Sequence, residues 1–158
     1  MKVVVRNIAE PNEAVEKYRE ALEMDQHNTS ISHNIASGLL DIGEIERSVT
    51  YNNAMTKKLT AGINRSIDFM HKYQLDANYI KIYAKHAWAA LVEMGFRKIE
   101  VAIDADEEIG YEGIYYDFYI NQDANTCAQL TTEVISRIAN DIGVDNMPDT
   151  LNISFNSW

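Results

Sequence analysis

The chain has 158 residues, a length that fits one domain, and its composition of 46% hydrophobic and 24% charged residues excludes disorder, collagen-like repeats and a disulfide scaffold. It has a formal net charge of −10 and a single cysteine, Cys127, so no intrachain disulfide can form. No apolar run is long enough for a membrane span or a signal peptide, and we therefore expect a cytoplasmic protein that does not bind membranes.

The charge is unevenly distributed along the chain. Residues 99–158 contain 12 acidic residues and one strong cation, Arg137, which gives this part a formal net charge of −11, whereas residues 1–98 carry +1. A strongly negative surface repels phosphates and attracts cationic surfaces. Because Arg137 is the only lysine or arginine in this part, we expect the acidic residues to lack compensating cations. A basic protein is therefore the expected partner, and direct binding of nucleic acid is not expected.

The N-terminal part has mainly helical periodicity. Residues Lys2 to Ile8 are rich in β-branched side chains and predict a short first strand. Apolar residues at spacings of three and four then predict helices over residues 11–24, 31–43, 44–73 and 77–94. The middle of the third of these has weak helical propensity, and we expect a bend there. Asp76 is placed to cap the last of these helices, and Trp88 lies on its apolar face, which predicts that this indole is buried.

The period changes to two after residue 98. Ile99, Val101 and Ile103 alternate with polar residues, and the same alternation follows over residues 114–120. A helix after Asp123 and a last alternating strand over residues 151–155 complete the pattern. The sequence thus predicts an α+β fold, with a helical part packed on a small, mostly antiparallel sheet. We expect a single domain over residues 1–158, near-neutral and helical over 1–97 and strongly acidic with the order β-β-α-β over 98–158.

Residues 14 to 55 resemble a tetratricopeptide unit. Ala14, Tyr18 and Ala21 have the spacing of the second helix of that repeat, and Gln26 stands where its proline belongs. The next unit departs from the family pattern, and Ser32 stands at the position of its tryptophan. The resemblance implies a helical adaptor as an alternative function, without assigning any peptide-binding residue.

Motifs for nucleotide, nucleophilic or zinc chemistry are lacking. The seven glycines form no phosphate-binding loop, and the four histidines never occur as HxxxH or HExxH. An alternative hypothesis is a small enzyme or ligand-binding domain with a cavity between helices and sheet. The groups that this hypothesis places around the cavity are Tyr79, Tyr83, His86, Trp88 and Cys127.

The acidic segment 104–112 is the best local candidate for binding a cation. Counted from Asp104, the sixth position of an EF-hand loop is Ile109 instead of glycine, and the twelfth is Tyr115 instead of glutamate. We therefore expect weak binding of divalent ions at most, and we predict neither a resident metal nor a cofactor.

Strand alternation places acidic and aromatic side chains on one face of the predicted hairpin. If Ile99, Ile103 and Tyr116 face the core, their polar neighbours face the other way. Together with the intervening loop, this face gives the predicted partner-binding residues Glu100, Asp104, Asp106, Glu107, Glu108, Glu112, Tyr115, Asp117 and Tyr119. The leading hypothesis is a non-enzymatic interaction module that inhibits a basic, nucleic-acid-handling partner, in the manner of phage antidefence, immunity or antitoxin proteins.

Overall fold

The computed structural model describes residues 11–54, 57–96 and 98–158. In chain order it has helices α1 (Pro11–Met24), α2 (Thr29–Asp41) and α3 (Ile45–Ser48), a 3-10 helix (Val49–Ala54), helices α4 (Lys57–Tyr73) and α5 (Asn78–Glu93), strands β1 (Ile99–Asp106) and β2 (Gly113–Ile120), helix α6 (Ala124–Ile142), a 3-10 helix (Val144–Asn146) and strand β3 (Leu151–Ser157). The α+β class and the C-terminal β-β-α-β order are confirmed. The predicted strand Lys2 to Ile8 lies outside the described residues.

Helices α1 and α2 form the predicted helical pair. Val15 of α1 packs in a small cluster with Ile35 and Leu39 of α2, and all three side chains are buried. The side chain of Asn28 caps α2, because its Oδ1 accepts hydrogen bonds from the backbone N–H groups of Ser30 and Ile31 at 3.1 Å.

The segment after α2 does not continue as a second helical repeat. The four-residue helix α3 is followed directly by the 3-10 helix, which contains a kink at Tyr51 (φ −108°, ψ 23°). The predicted bend within residues 44–73 is therefore present as a change of helix type. A second tetratricopeptide unit would need full helices where the chain has these short segments.

Helix α5 confirms the predicted helix over residues 77–94 within one residue at each end. The N-cap position of α5 is Ala77 and not the predicted Asp76, which lies one residue earlier. The Oδ1 atom of Asp76 still accepts a hydrogen bond from the N–H of Asn78, the first residue of the helix, at 2.9 Å. The prediction for Trp88 is wrong in part. Its ring is only partly buried because the indole lies at the margin of the core, where Nε1 donates to the carbonyl oxygen of Asp41 at 2.5 Å.

The sheet is mixed, with β2 as its central strand. Strands β1 and β2 are antiparallel, with Ile103 opposite Tyr116, whereas β2 and β3 are parallel, with Tyr116 opposite Ile153. Helix α6 makes the crossover that a parallel pair requires. Its N-terminus is capped by Asp123, whose Oδ1 accepts from the N–H groups of Asn125 and Thr126 at 2.9 and 3.0 Å.

One face of the sheet forms the main core with α2, α4, α5 and α6. Its buried side chains are Ile99, Ile103, Ile114, Tyr116, Phe118, Ile120, Leu151, Ile153 and Phe155. The rings of Phe118 and Phe155 stack across β2 and β3 with centroids 5.2 Å apart. No helix among the described residues is long and apolar enough to cross a lipid bilayer.

The C-terminal end of α2 is joined to the sheet by a buried tyrosine. The hydroxyl of Tyr116 donates to the carbonyl oxygen of Leu40 at 2.5 Å, and the carbonyl oxygen of Asp41 lies 3.1 Å away. Burial raises the pKa of this hydroxyl well above its ordinary value, and the negative charge of Asp41 raises it further. The hydroxyl therefore remains protonated and available as a donor.

Helix α4 lies against β1 at very short range. A Cβ atom added to Gly62 would come within 2.3 Å of the carbonyl oxygen of Ile103, so only glycine allows this approach. The helix thereby presents its charged side chains beside the outer end of the β1–β2 hairpin.

Gly62→Ala should destabilise the protein by about 1–3 kcal/mol, because the new methyl group would overpack a backbone oxygen. This loss would exceed the gain of about 1 kcal/mol that alanine normally brings to a helix interior. Asn64→Ala, at an exposed position of the same helix, is the control and should be neutral or slightly stabilising. Urea denaturation measures both variants. An unchanged or higher midpoint for Gly62→Ala would contradict the close packing of α4 on β1.

Tyr116→Phe should cost about 0.5–1.5 kcal/mol, because the carbonyl of Leu40 at the end of α2 would lose this buried hydrogen bond and keep only the N–H of Gly43 as a donor. Tyr119→Phe, on the opposite face of the same strand, should change the free energy of unfolding by less than about 0.5 kcal/mol. Thermal and urea unfolding of the two variants make the comparison, and equal stability would show that the hydroxyl of Tyr116 is not needed at this junction.

Candidate interaction surface

The second face of the sheet is polar, and no described helix covers it. We call it the open face and define it by the residues Glu100, Ala102, Asp104, Tyr115, Asp117, Tyr119, Asn152, Ser154 and Asn156. The strand register arranges these residues in three rows across the sheet, with Glu100 opposite Tyr119 and Asp104 opposite Tyr115. The structure therefore brings together the five sheet residues that alternation predicted to share a face.

The central row fixes the carboxylate of Asp117. Ser154 Oγ donates to Asp117 Oδ1 at 2.6 Å, and Asn156 Nδ2 donates to Ser154 Oγ at 2.7 Å. Asp117 lies between Tyr115 and Tyr119 on the same face of β2, and all three side chains are partly exposed. This face thus presents a held carboxylate between two tyrosine side chains.

The expectation that the acidic residues of 99–158 lack compensating cations is wrong at Asp104, Glu107 and Asp141, which pair with cations of the helical part. The first two are predicted partner-binding residues. Arg65 of α4 forms a bidentate ion pair with Asp104, with both N–O distances at 2.7 Å. Lys72 of the same helix forms an ion pair with Glu107 at 2.6 Å. The hydrogen bond from Arg65 lowers the pKa of the Asp104 carboxyl. The helical part therefore neutralises one edge of the acidic surface.

The other acidic residues among the predicted partner-binding residues have no lysine or arginine partner in the described parts of the chain. None of the lysines and arginines whose placement is described lies within 4 Å of the carboxylate of Glu100, Asp106, Glu108, Glu112 or Asp117. Arg137, the lone strong cation of residues 99–158, pairs with Glu93 and Glu133 on the helices instead. Eight carboxylates of residues 99–158 thus have no described lysine or arginine partner. Five of them lie on the open face and in the hairpin loop, and the other three are those of Asp123, Asp145 and Asp149.

Side-chain and backbone hydrogen bonds order the loop between β1 and β2. The N–H of Glu108 donates to Asp106 Oδ1 at 2.8 Å, and the N–H of Gly110 donates to Glu112 Oε2 at 2.9 Å. The hydroxyl of Tyr115 donates to the carbonyl oxygen of Tyr111 at 2.7 Å, which joins the loop to the open face. Two of the predicted partner-binding carboxylates, those of Asp106 and Glu112, therefore also shape the loop.

Sequence reasoning missed two exposed apolar residues in this loop. Ile109 is 95% exposed and Tyr111 is 66% exposed. Strand alternation gives no information beyond the strand ends, and the acidic neighbours make the segment resemble an ordinary solvated turn. The available signal was a pair of large apolar residues on either side of Gly110.

The structure does not bring the five residues of the cavity hypothesis into one site. Tyr83 and Cys127 are buried in the core, and burial raises the pKa of both groups. Tyr79 lines a shallow pocket beside Asn146, whereas Trp88 lines a different groove of about 630 Å³ between α5 and the α1–α2 pair.

The fifth residue, His86, links α5 to α6, because its Nε2 atom lies 2.8 Å from Asp141 Oδ2. The hydrogen bond with His86, together with the charge of Lys85, lowers the pKa of Asp141.

Within the described parts of the chain, no group of three or more histidine, cysteine, aspartate or glutamate side chains is arranged to hold a metal ion. In the 104–112 segment, the side chains of Asp104 and Glu107 form ion pairs with Arg65 and Lys72 of α4.

Comparisons of the chain with protein-family models, with curated proteins and with solved structures gave no match.

Arg65→Gln should raise the pKa of Asp104 toward its ordinary value, because the charged hydrogen bond that stabilises the carboxylate is lost. Lys58→Gln is the control and should raise that pKa less, since Lys58 acts only through its charge. Carbon-detected NMR titration of the Asp104 carboxyl measures both. Because folding lowers this pKa, the pair favours the folded state at neutral pH and loses its contribution as pH falls through the lowered pKa. An Asp104 titration unchanged in Arg65→Gln would contradict the ion pair in solution.

Proposed function

We propose that this chain is a non-enzymatic interaction module that binds a basic protein through the open face and the adjoining hairpin loop. The observation that carries the proposal is the open face itself, on which carboxylates and tyrosines alternate across adjacent strands. In antiparallel and mixed sheets, helices commonly cover one face, and the second face is then available to solvent or to a partner.

The chemistry of the open face suits lysine and arginine side chains. A carboxylate provides a charged hydrogen-bond acceptor, and a tyrosine ring attracts a cation placed over its face. Asp117 between Tyr115 and Tyr119 combines both features, and Glu100 stands opposite Tyr119. Ser154 holds the Asp117 carboxylate in place, which reduces the conformational entropy lost on binding.

The charge favours a partner that handles nucleic acid. Residues 99–158 carry −11, and five of their eight carboxylates without a described lysine or arginine partner lie on the open face and in the loop. Carboxylates at regular spacing along a strand are negatively charged, as the phosphates of a nucleic-acid backbone are, and a basic groove attracts both. The chain would then act as an inhibitor by occupying that groove, as phage antidefence, immunity or antitoxin proteins do. A cytoplasmic location agrees with this proposal.

Capture followed by titration tests the proposal. A photo-cross-linking amino acid in place of the exposed Asn152 captures the partner from an extract of cells that produce this chain. The purified partner is then titrated by calorimetry with the wild type and with the double variant Glu100→Lys/Asp117→Asn. Asparagine retains an oxygen acceptor for Ser154, so the fold is preserved. The double variant should bind at least about tenfold more weakly, with a shallower dependence on salt.

The double variant Glu20→Lys/Glu23→Gln is the matched control. It changes the net charge by the same amount on exposed positions of α1, far from the sheet in sequence. It should bind like the wild type, and an oligonucleotide should compete with both for the partner. Equal losses in the two double variants would mean that only net charge matters, and unchanged binding by the open-face variant would reject this face as the interaction surface.

A further inference from the structure

The tip of the β1–β2 hairpin presents an isoleucine to solvent on an ordered turn. Among the large hydrophobic residues that the structure describes as exposed, Ile109 is the most exposed at 95%. Tyr111, two residues later, adds a second exposed apolar surface. Single exposed apolar residues are common on proteins, so their exposure has to be considered together with the rigidity and the charge around them.

The turn that carries Ile109 has a defined geometry. The N–H of Tyr111 donates to the carbonyl oxygen of Glu108 at 2.9 Å, and Gly110 has φ +90°. These features define a type II turn with Ile109 at its first corner and glycine at the position that requires positive φ. Asp106, Glu112 and Tyr115 hold the remainder of the loop. The tip therefore presents its apolar side chains in a preorganised conformation.

The charge around the tip identifies the kind of surface that it fits. Glu108 and Glu112 flank the apolar pair, and no described lysine or arginine pairs with them. An apolar pocket without surrounding charge would leave these carboxylates uncompensated at the interface, whereas a pocket bordered by lysine or arginine would pair with them.

We infer that Ile109 and Tyr111 are the apolar anchor of the interaction, and that they insert into an apolar pocket bordered by lysine or arginine on the basic partner. This inference rests on the proposed function and adds a second contact to it. The open face supplies charge and steering, while the tip supplies packed contact area of the kind that dominates binding energy.

Cross-linking and binding kinetics test the inference. A photo-cross-linking amino acid in place of Ile109 should react with a partner segment that contains apolar residues next to lysine or arginine, and the same amino acid in place of the exposed Gln129 of α6 should not. Ile109→Ser and Tyr111→Ser should each weaken binding by about thirtyfold, mainly through faster dissociation, with the salt dependence kept. Val144→Ser removes another exposed apolar side chain, 72% exposed, and should bind like the wild type.

The outcomes separate this inference from the proposed function. Loss of binding in the open-face variant with normal binding in both tip variants would support the open face and overturn the anchor. Loss in the tip variants with normal binding in the open-face variant would support the anchor and overturn the open face. A cross-link from position 109 to a second copy of this chain, with a dimeric mass in light scattering that Ile109→Ser abolishes, would also overturn the inference.

Discussion

The C-terminal end of α2 joins the helical part of the chain to the sheet, and the arrangement of both depends on it. The last carbonyl groups of a helix have no partner within that helix and must find donors elsewhere. Tyr116 of the central strand and Trp88 of α5 supply donors to the last two residues of α2. The carbonyl of Leu40 also accepts from the N–H of Gly43 at 3.1 Å, so the hydroxyl of Tyr116 adds a second, buried hydrogen bond between distant elements. This contact favours one orientation of β2, with Tyr116 turned to the helices. The opposite face of the strand is then the open face.

The same packing decides how much of the acidic charge remains available. Gly62 lets α4 approach the backbone of β1, and Arg65 and Lys72 of that helix then reach Asp104 and Glu107. These exposed pairs add little stability, but they remove two carboxylates from the surface that a cationic partner would meet. On the sheet and its hairpin, the charge that remains without a described partner is that of Glu100, Asp117 and the loop.

The open face and the hairpin tip belong to one structural unit. Strands β1 and β2 carry the tip and all the acidic and tyrosine side chains of the open face, and the hydrogen bond from Tyr115 to the carbonyl of Tyr111 links the two directly. A partner that contacts both would meet charged groups on a sheet and apolar groups on an ordered turn, without a large rearrangement of either. This division agrees with the general behaviour of interfaces, where charges steer the encounter and buried apolar anchors slow dissociation.

The sequence by itself determined most of the helices, the three strands after residue 98 and the face that each of their residues occupies. These features follow from local periodicity, such as the four-residue spacing of Leu130, Val134 and Ile138 in α6 and the alternation around Asp117. The sequence did not determine the change of helix type within residues 44–73. Tertiary structure alone decided that β3 is parallel to β2, that Trp88 lies at the margin of the core, and that Asp104 is paired with Arg65. Arg65 and Asp104 are 39 positions apart, and Tyr116 and Leu40 are 76 apart. Contacts at such separations depend on how whole elements pack, and residue patterns within one element carry no information about them.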